Sequence, residues 1–194
     1  MIRLALILVL STTSHTFAQP GATPAGDLDE PAALPPPPVP PPPAERAFFG
    51  GGVMLGATSS FINLALVAEG GLKLGSSPLW LHGVFARGDS FDFEGGGPLT
   101  RGMLGVDLRG CSSRAFCGFI GVDAGYQQQI WSAQDEMTED HKGAVFGPHV
   151  GIDAGGDNLR ARFAFEVLRF ADEATGNTVW RGGGGFTTTL VYRM

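Results

Sequence analysis

Bulky apolar residues alternate with small or polar ones along most of this 194-residue chain. Between residues 163 and 167, for example, Phe163, Phe165 and Val167 fall on one side of an extended chain and Glu166 falls on the other. Such an alternation indicates a β-strand with one apolar face and one polar face. We therefore predict eight strands, at 47–56, 62–74, 79–87, 101–109, 118–129, 144–154, 159–170 and 178–194.

The connections between the predicted strands also alternate in kind. Tight segments with Gly, Ser or Asn follow the even-numbered strands, at 75–78, 110–116 and 155–158. Longer, more acidic segments follow the third, fifth and seventh strands, at 88–99, 131–143 and 171–177. Outer-membrane barrels combine short periplasmic turns with longer external loops. The sequence thus predicts an all-β fold, an eight-stranded antiparallel up-and-down transmembrane β-barrel in the outer membrane.

The polar face of each predicted strand would line a narrow lumen. The interior of an eight-stranded barrel is just wide enough for side chains to fill, so charges buried there have to pair. We predict a lumen charge network that consists of Glu69, Asp107, Asp123, His149, Asp153, Arg160, Arg162 and Glu166. Arg160, Arg162 and Glu166 share one face of the seventh strand and form its predicted centre. A narrow pore for ions or small solutes is the alternative.

Some inward positions fit the pattern less simply. Lys73, Arg109 and Arg193 lie near predicted periplasmic ends, where we expect them to meet water. The third strand would place Trp80 and His82 in the lumen, which leaves its register open. Pro148, in the middle of the sixth strand, would remove a hydrogen bond of the ladder and so indicates a bulge.

Two segments precede the predicted barrel of residues 47–194. Residues 1–18 have the pattern of a signal peptide, with Arg3 before an apolar run that is too short to cross a bilayer as a helix. Residues 19–46 are rich in proline and cannot bury a core, so we predict a disordered linker with polyproline II character. It is either an unstructured leader or a spacer that contacts a periplasmic partner.

Charge and cysteine content narrow the class of protein further. The formal net charge is −6 and the chain has no basic stripe, which excludes nucleic acid as a partner. Cys111 and Cys117 lie close together in an exported chain, and oxidising compartments favour a disulfide between them. Two thiols without a nearby His do not complete a zinc site. We expect neither a metal site nor a cofactor.

Motifs of catalysis are missing from the sequence. Neither a Gly-x-Ser-x-Gly elbow nor a His-Glu-x-x-His helix occurs. His82 and His149 have no Ser two residues later, and His141 lies in a predicted acidic loop without a Ser nearby. We predict that the protein is not an enzyme. A lipid-modifying enzyme stays open as an alternative because a fold can bring distant catalytic groups together, and so does a soluble periplasmic barrel that binds an apolar ligand.

The alternation over residues 47–194 resembles the small eight-stranded outer-membrane barrels of the OmpA/OmpX type. That family ends in alternating apolar residues that the barrel-assembly machinery reads; Phe186, Leu190 and Tyr192 keep this phase, while the last residue is Met194. The resemblance implies outer-membrane lipid, lipopolysaccharide and the assembly machinery as partners. We expect a structural or surface-interaction protein with a packed polar lumen and acidic external loops.

Overall fold

The computed structural model describes residues 45–58, 61–92, 95–133, 138–173 and 178–194. The predicted signal peptide and residues 19–44 of the predicted linker lie outside the described residues. The same holds for Glu94, Asp135 and Glu136 of the predicted acidic loops. None of the described residues forms a helix long and apolar enough to cross a membrane.

Eight antiparallel strands close into a single barrel. They are β1 (Ala47–Thr58), β2 (Ile62–Lys73), β3 (Leu79–Phe91), β4 (Gly95–Ser113), β5 (Phe116–Ala133), β6 (Thr138–Gly155), β7 (Leu159–Asp172) and β8 (Val179–Arg193). Each strand pairs with the next in sequence, and β8 pairs with β1 from Phe48↔Arg193 to Thr58↔Gly183. The prediction of an eight-stranded antiparallel barrel is therefore confirmed.

Both described termini and the three tight turns lie at one end of the barrel, which we call the terminal end; the opposite end is the loop end. The residues just before β1 and the last residue of the chain are joined there, because the Arg46 amide donates to the Met194 carbonyl at 2.8 Å. In the turn between β2 and β3, Gly75 has φ 62°, a left-handed conformation that glycine adopts without steric cost. The turn between β4 and β5 carries a register shift at Cys111/Ser113 and the Cys111–Cys117 disulfide.

Strands extend further toward the loop end than the sequence pattern predicts. β3 continues to Phe91 and β6 begins at Thr138, so most of the segments 88–99 and 131–143 is strand rather than loop. The inward His141 stays buried there, but Glu139 on the same face and the outward Lys142 are both exposed and charged. Alternation of apolar with polar residues disappears because polar residues occupy both faces, while backbone pairing continues. The predicted loops at these two sites are therefore wrong in extent.

Two local features of the strands settle open points of register. Trp80 and His82 both point into the lumen, as the alternation along β3 implies, and both are buried. Pro148 does not produce a bulge: it pairs with Val122 of β5, and the alignment of β6 with β7 is the same on either side of it. The expected bulge is wrong because no residue is inserted opposite the proline.

The outward face of the barrel is a continuous surface of exposed apolar side chains, which we call the apolar belt. It consists of Phe49, Val53, Leu55, Leu64, Leu66, Phe85, Leu104, Val106, Ile120, Val122, Val150, Phe165, Val167, Phe186 and Leu190. On β5 the outward apolar positions run from Phe116 to Tyr126. At about 3.3 Å per residue and a tilt of roughly 40°, this span is about 25 Å high, the height of the apolar band of outer-membrane barrels.

The lumen is layered rather than uniformly polar. Toward the loop end, Met54, Ala65, Val67, Ala86 and Leu99 form one apolar cluster, and Met103, Val145, Leu168 and Phe170 form a second. Toward the terminal end, Phe48, Trp80 and Val191 pack together. Charged side chains fill the space between these apolar layers. This layering positions the candidate site.

Candidate functional site

A buried carboxylate, Asp153, holds three arginines together near the terminal end. Arg162 Nε lies 2.8 Å from Asp153 Oδ1, and Arg193 Nη2 lies 2.6 Å from Oδ2. Arg109 Nη1 is 3.3 Å from the same Oδ2. Asp153 is 0% exposed, so its charge is balanced by protein groups rather than by water. We call these four residues the terminal cluster.

Two glutamates supply the remaining negative charge of this region. Arg162 Nη1 lies 2.9 Å from Glu69 Oε2, and Glu69 also accepts a hydrogen bond from the Thr189 hydroxyl. Glu45, which precedes β1, pairs with Arg193 and lies 3.0 Å from Arg160 Nη2. Glu45 thus covers the terminal end of the lumen, although the proline-rich pattern of residues 19–46 predicts that it belongs to the linker.

Aromatic rings complete the surroundings of the arginines. The Arg109 guanidinium carbon lies 4.5 Å from the centre of the Trp80 ring, and that of Arg162 lies 4.1 Å from the centre of the Phe48 ring. Such cation–π contacts stabilise a cation that is removed from water. The expectation that Arg109 and Arg193 meet water is wrong: they are 7% and 2% exposed, because Glu45 and the aromatic rings cover this end.

Two histidines and two aspartates form a closed ring in the middle of the lumen. His149 Nε2 lies 2.6 Å from Asp107 Oδ1, and His149 Nδ1 lies 2.8 Å from Asp123 Oδ2. His82 Nε2 lies 2.8 Å from Asp123 Oδ1, and His82 Nδ1 lies 3.3 Å from Asp107 Oδ1. All four side chains are buried. We call them the His–Asp ring.

Strand register and two glycines bring the four ring residues together. One row of paired residues across the barrel wall contains His82, Gly105 and Asp123, and another contains Asp107, Gly121 and His149. Each glycine therefore separates a histidine from an aspartate. A Cβ on Gly105 would lie 2.6 Å from His82 Cε1, and one on Gly121 would lie 2.6 Å from His149 Cε1. The ring fits because neither position carries a side chain.

A third group of charges lies toward the loop end. Arg101 Nη1 is 2.5 Å from Glu166 Oε1, and Arg101 Nε donates to Gln127 Oε1 at 2.9 Å. Arg101 is buried but is absent from the predicted network. It shares the parity of Asp107 and Arg109 on the predicted fourth strand, so the alternation itself is the signal that could have placed it in the lumen.

The predicted network residues thus separate into three levels. Arg160, Arg162 and Glu166 do share the inward face of β7, but the two arginines pair near the terminal end, whereas Glu166 pairs with Arg101 toward the loop end. Arg160 and Glu166 are six residues apart on the strand, about 20 Å at ~3.3 Å per residue, which is too far for one cluster. Three arginines pair with Asp153 of β6, which is therefore the centre of the terminal cluster instead of a residue of β7.

His141 is a buried strand residue rather than part of a loop. It lies in β6, with Nδ1 2.8 Å from Asp172 Oδ2, and Arg181 Nε lies 2.7 Å from the same oxygen. Its Nε2 is 3.1 Å from the more exposed Glu139 Oε2. The sequence prediction of an acidic loop around His141 is wrong because the two strands continue past it.

The space left between these groups is small. A cavity of about 40 Å³ adjoins the His–Asp ring and is lined in part by Phe119, Arg162 and Glu166. A second cavity, of about 10 Å³, lies beside Arg101. A single water needs about 10–15 Å³ on this measure, so the two cavities would hold a few waters at most. The geometry fills the lumen with paired charges.

Comparison of sequences does not assign the chain to a family, because no protein-family model and no curated protein matches it. Comparison with solved structures does find similar folds. Neisserial surface protein A superposes with a TM-score of 0.59 at 6% identity, covering 77% of this chain and 97% of that one. Ail, the attachment invasion locus protein of Yersinia pestis, in complex with the heparin analogue sucrose octasulfate, gives a TM-score of 0.51 at 9% identity with the same coverage.

Similarity at such low identity concerns the fold alone. Both structures are eight-stranded outer-membrane barrels, and nearly their whole length is matched by this chain. The chain therefore has the closed eight-stranded antiparallel barrel fold of the small outer-membrane proteins that its sequence pattern resembles.

Proposed function

We propose that this chain is an integral outer-membrane barrel with a structural or surface-interaction role, whose lumen is closed by paired charges. The observation that carries the proposal is the distribution of polarity, which is the reverse of that in a water-soluble protein. Leu66 and Leu104 on the outer face are 71% and 68% exposed, whereas Asp153 inside is fully buried. Soluble proteins rarely expose a contiguous apolar surface of this extent.

Charged residues on the outer face of the barrel mark where the apolar belt ends on the side of the loop end. Arg87 and Asp89 on β3 and Arg169 on β7 are exposed on the outer face, all toward the loop end. Charges on the lipid-facing side are unfavourable at the bilayer midplane and tolerated near the interface. We place the membrane around the belt, with the loop end beyond it on the outside of the cell.

A soluble periplasmic barrel with an apolar ligand would need the opposite arrangement. Its lumen would be apolar and open, and its outer face would be polar. Here the interior carries the terminal cluster and the His–Asp ring, and the cavities beside the ring and beside Arg101 measure about 40 and 10 Å³. The same filled interior favours a closed barrel over a narrow pore.

The surface role would reside at the loop end. Asp89, Asp92, Glu139 and Asp140 give this end acidic groups, and Lys142 lies 3.3 Å from Asp140. Ail, a barrel of the same fold, is described in complex with a heparin analogue, which is an anion. The acidic groups of this chain favour cationic partners instead, including divalent cations that bridge to lipopolysaccharide.

We further propose the barrel-assembly machinery, outer-membrane lipid and lipopolysaccharide as the partners of the barrel. The proline-rich segment is proposed to reach a periplasmic partner or to serve as a leader. The protein is proposed to be non-enzymatic; deletion of its gene should leave the lipid A profile unchanged, and a lost lipid modification would contradict this.

Insertion and conductance test the proposal together. The refolded chain is added to lipid vesicles, its insertion is followed by a heat-dependent shift on a gel, and its conductance is recorded in a planar bilayer. We expect inserted protein without steady openings. Protein that stays soluble without inserting would overturn the membrane assignment.

Two arginine variants sharpen the conductance measurement. Arg101→Ala removes the buried partner of Glu166, and Arg169→Ala removes an exposed arginine of the outer face as a matched control. Wild type and Arg169→Ala should both show no conductance, and Arg101→Ala is the variant that should show openings. Discrete openings of the wild type that change in Arg101→Ala would make the barrel a pore.

A further inference from the structure

We propose that the His–Asp ring is a binding site for a divalent transition-metal cation of the zinc class. Four donor side chains from four different strands converge at one level of the lumen: His82 of β3, Asp107 of β4, Asp123 of β5 and His149 of β6. Donor atoms of His82, Asp123 and His149 all lie within 4.8 Å of one another. Imidazole nitrogen together with carboxylate oxygen is a ligand set that zinc accepts.

The ligand atoms already stand close to the spacing that a metal requires. With bonds of about 2.0–2.1 Å, the ligands of a tetrahedral zinc are separated by about 3.3 Å. His82 Nε2 lies 2.8 Å from Asp123 Oδ1, and His149 Nδ1 lies 2.8 Å from Asp123 Oδ2. A cation between these three groups would need the donors to separate by about half an ångström, which is a side-chain adjustment.

Asp107 is placed to orient both imidazoles from behind. It lies 2.6 Å from His149 Nε2 and 3.3 Å from His82 Nδ1, the nitrogens that are not directed at Asp123. Metal-binding histidines commonly donate their second nitrogen to a carboxylate, which fixes the tautomer and the ring orientation. Arg109 Nη2 lies 3.7 Å from Asp107 Oδ2, so this carboxylate already has a cation beside it. Asp123 is therefore the direct ligand, and Asp107 is the positioning residue.

Unsatisfied polar atoms provide a second and independent observation. His82 Nδ1, His149 Nδ1 and Asp123 Oδ1 are buried and make no aligned hydrogen bond, although each has a close polar neighbour. Buried polar groups are nearly always hydrogen-bonded or bound to an ion. A cation would satisfy His149 Nδ1 and Asp123 Oδ1 directly, and the adjoining cavity of about 40 Å³ has room for a water as a fourth ligand.

The surroundings of the ring determine how a metal would enter. The terminal cluster lies on one side, and the Arg101–Glu166 pair lies on the other. Both groups of paired charges are buried, so we expect the site to load while the barrel folds and to exchange slowly afterwards. The test must therefore supply metal during refolding.

The experiment is refolding of the full chain in detergent with Zn²⁺, followed by removal of free metal and elemental analysis. We expect about one Zn²⁺ per folded barrel. The double variant His82→Gln/His149→Gln should retain at least tenfold less. His141→Gln is the matched control, since His141 is a buried histidine outside the ring, and it should retain as much Zn²⁺ as wild type. Asp107→Asn should weaken binding 10- to 100-fold.

Refolding with Co²⁺ keeps the test decisive if the double variant does not fold. Tetrahedral Co²⁺ bound to nitrogen and oxygen absorbs visible light more strongly than hydrated Co²⁺, so folded wild type should show these bands. Wild type that retains no more Zn²⁺ than the folded double variant, or that gives no such Co²⁺ bands, would overturn the proposal. The readout is taken in detergent and does not depend on conductance, so it fails or succeeds separately from the proposed membrane role.

Discussion

Replacing Asp153 with asparagine should destabilise the barrel more than any substitution of an exposed charge. Asparagine preserves the shape and one acceptor oxygen but removes the charge that faces Arg109, Arg162 and Arg193. Arg162 would keep Glu69 and Arg193 would keep Glu45. The one carboxylate that Arg109 would keep among the described residues is Asp107, at 3.7 Å. Removal of one partner from a buried ion pair costs about 3–5 kcal/mol, and we expect a loss in this range.

Urea unfolding in detergent or lipid vesicles measures the change, with the heat-dependent gel shift as a check on folding. The matched control is Asp140→Asn, because Asp140 pairs with Lys142 at 3.3 Å while the two side chains remain 40% and 48% exposed. Exposed pairs contribute about 0–1 kcal/mol. Adding Arg109→Met to Asp153→Asn should recover part of the loss, since it removes the guanidinium with the weakest remaining partner. An Asp153→Asn protein as stable as the Asp140→Asn control would refute the reasoning.

Three further substitutions test other parts of the structure. Leu104→Arg places a charge in the apolar belt and should lower the free energy of unfolding in lipid vesicles by about 2–4 kcal/mol. An unchanged free energy of unfolding by urea in these vesicles would contradict a lipid-facing surface. Gly121→Ala would bring a Cβ within 2.6 Å of His149 Cε1 and should cost about 1–3 kcal/mol by overpacking, measured by the same unfolding. Loss of the disulfide in Cys117→Ser should cost about 2–3 kcal/mol, and reductant should then have no further effect on this variant.

The fold follows closely from the sequence where the two faces of a strand differ in polarity. In β2, outward Leu64 and Leu66 alternate with inward Asn63 and Val67, and the observed strand, Ile62–Lys73, is one residue shorter than predicted. The pattern fails toward the loop end, where it predicts a loop around His141 and the structure has a strand. The length of a strand there depends on backbone pairing with the neighbouring strands. The alternation within one strand contains no information about that pairing.

The candidate site is less accessible to sequence reasoning because it depends on which residues share a level. Alternation correctly places His82 and His149 inside, but the two lie 67 positions apart in the sequence, and only the stagger between strands brings their ring centres to 5.2 Å. Gly105 and Gly121 look like ordinary strand glycines in the sequence. Their role becomes visible only when they are seen between the histidines and aspartates of the His–Asp ring.

Quenching of tryptophan fluorescence by brominated lipid tests the central claim most directly, namely that the apolar face meets lipid and the polar face fills the lumen. One protein keeps only Trp80, which is buried in the lumen, through Trp131→Phe and Trp180→Phe. The other also carries Trp80→Phe and Leu104→Trp, which places the one tryptophan on the belt. We expect strong quenching at position 104 and little at Trp80. Equal quenching at both positions, or none at position 104, would contradict the account.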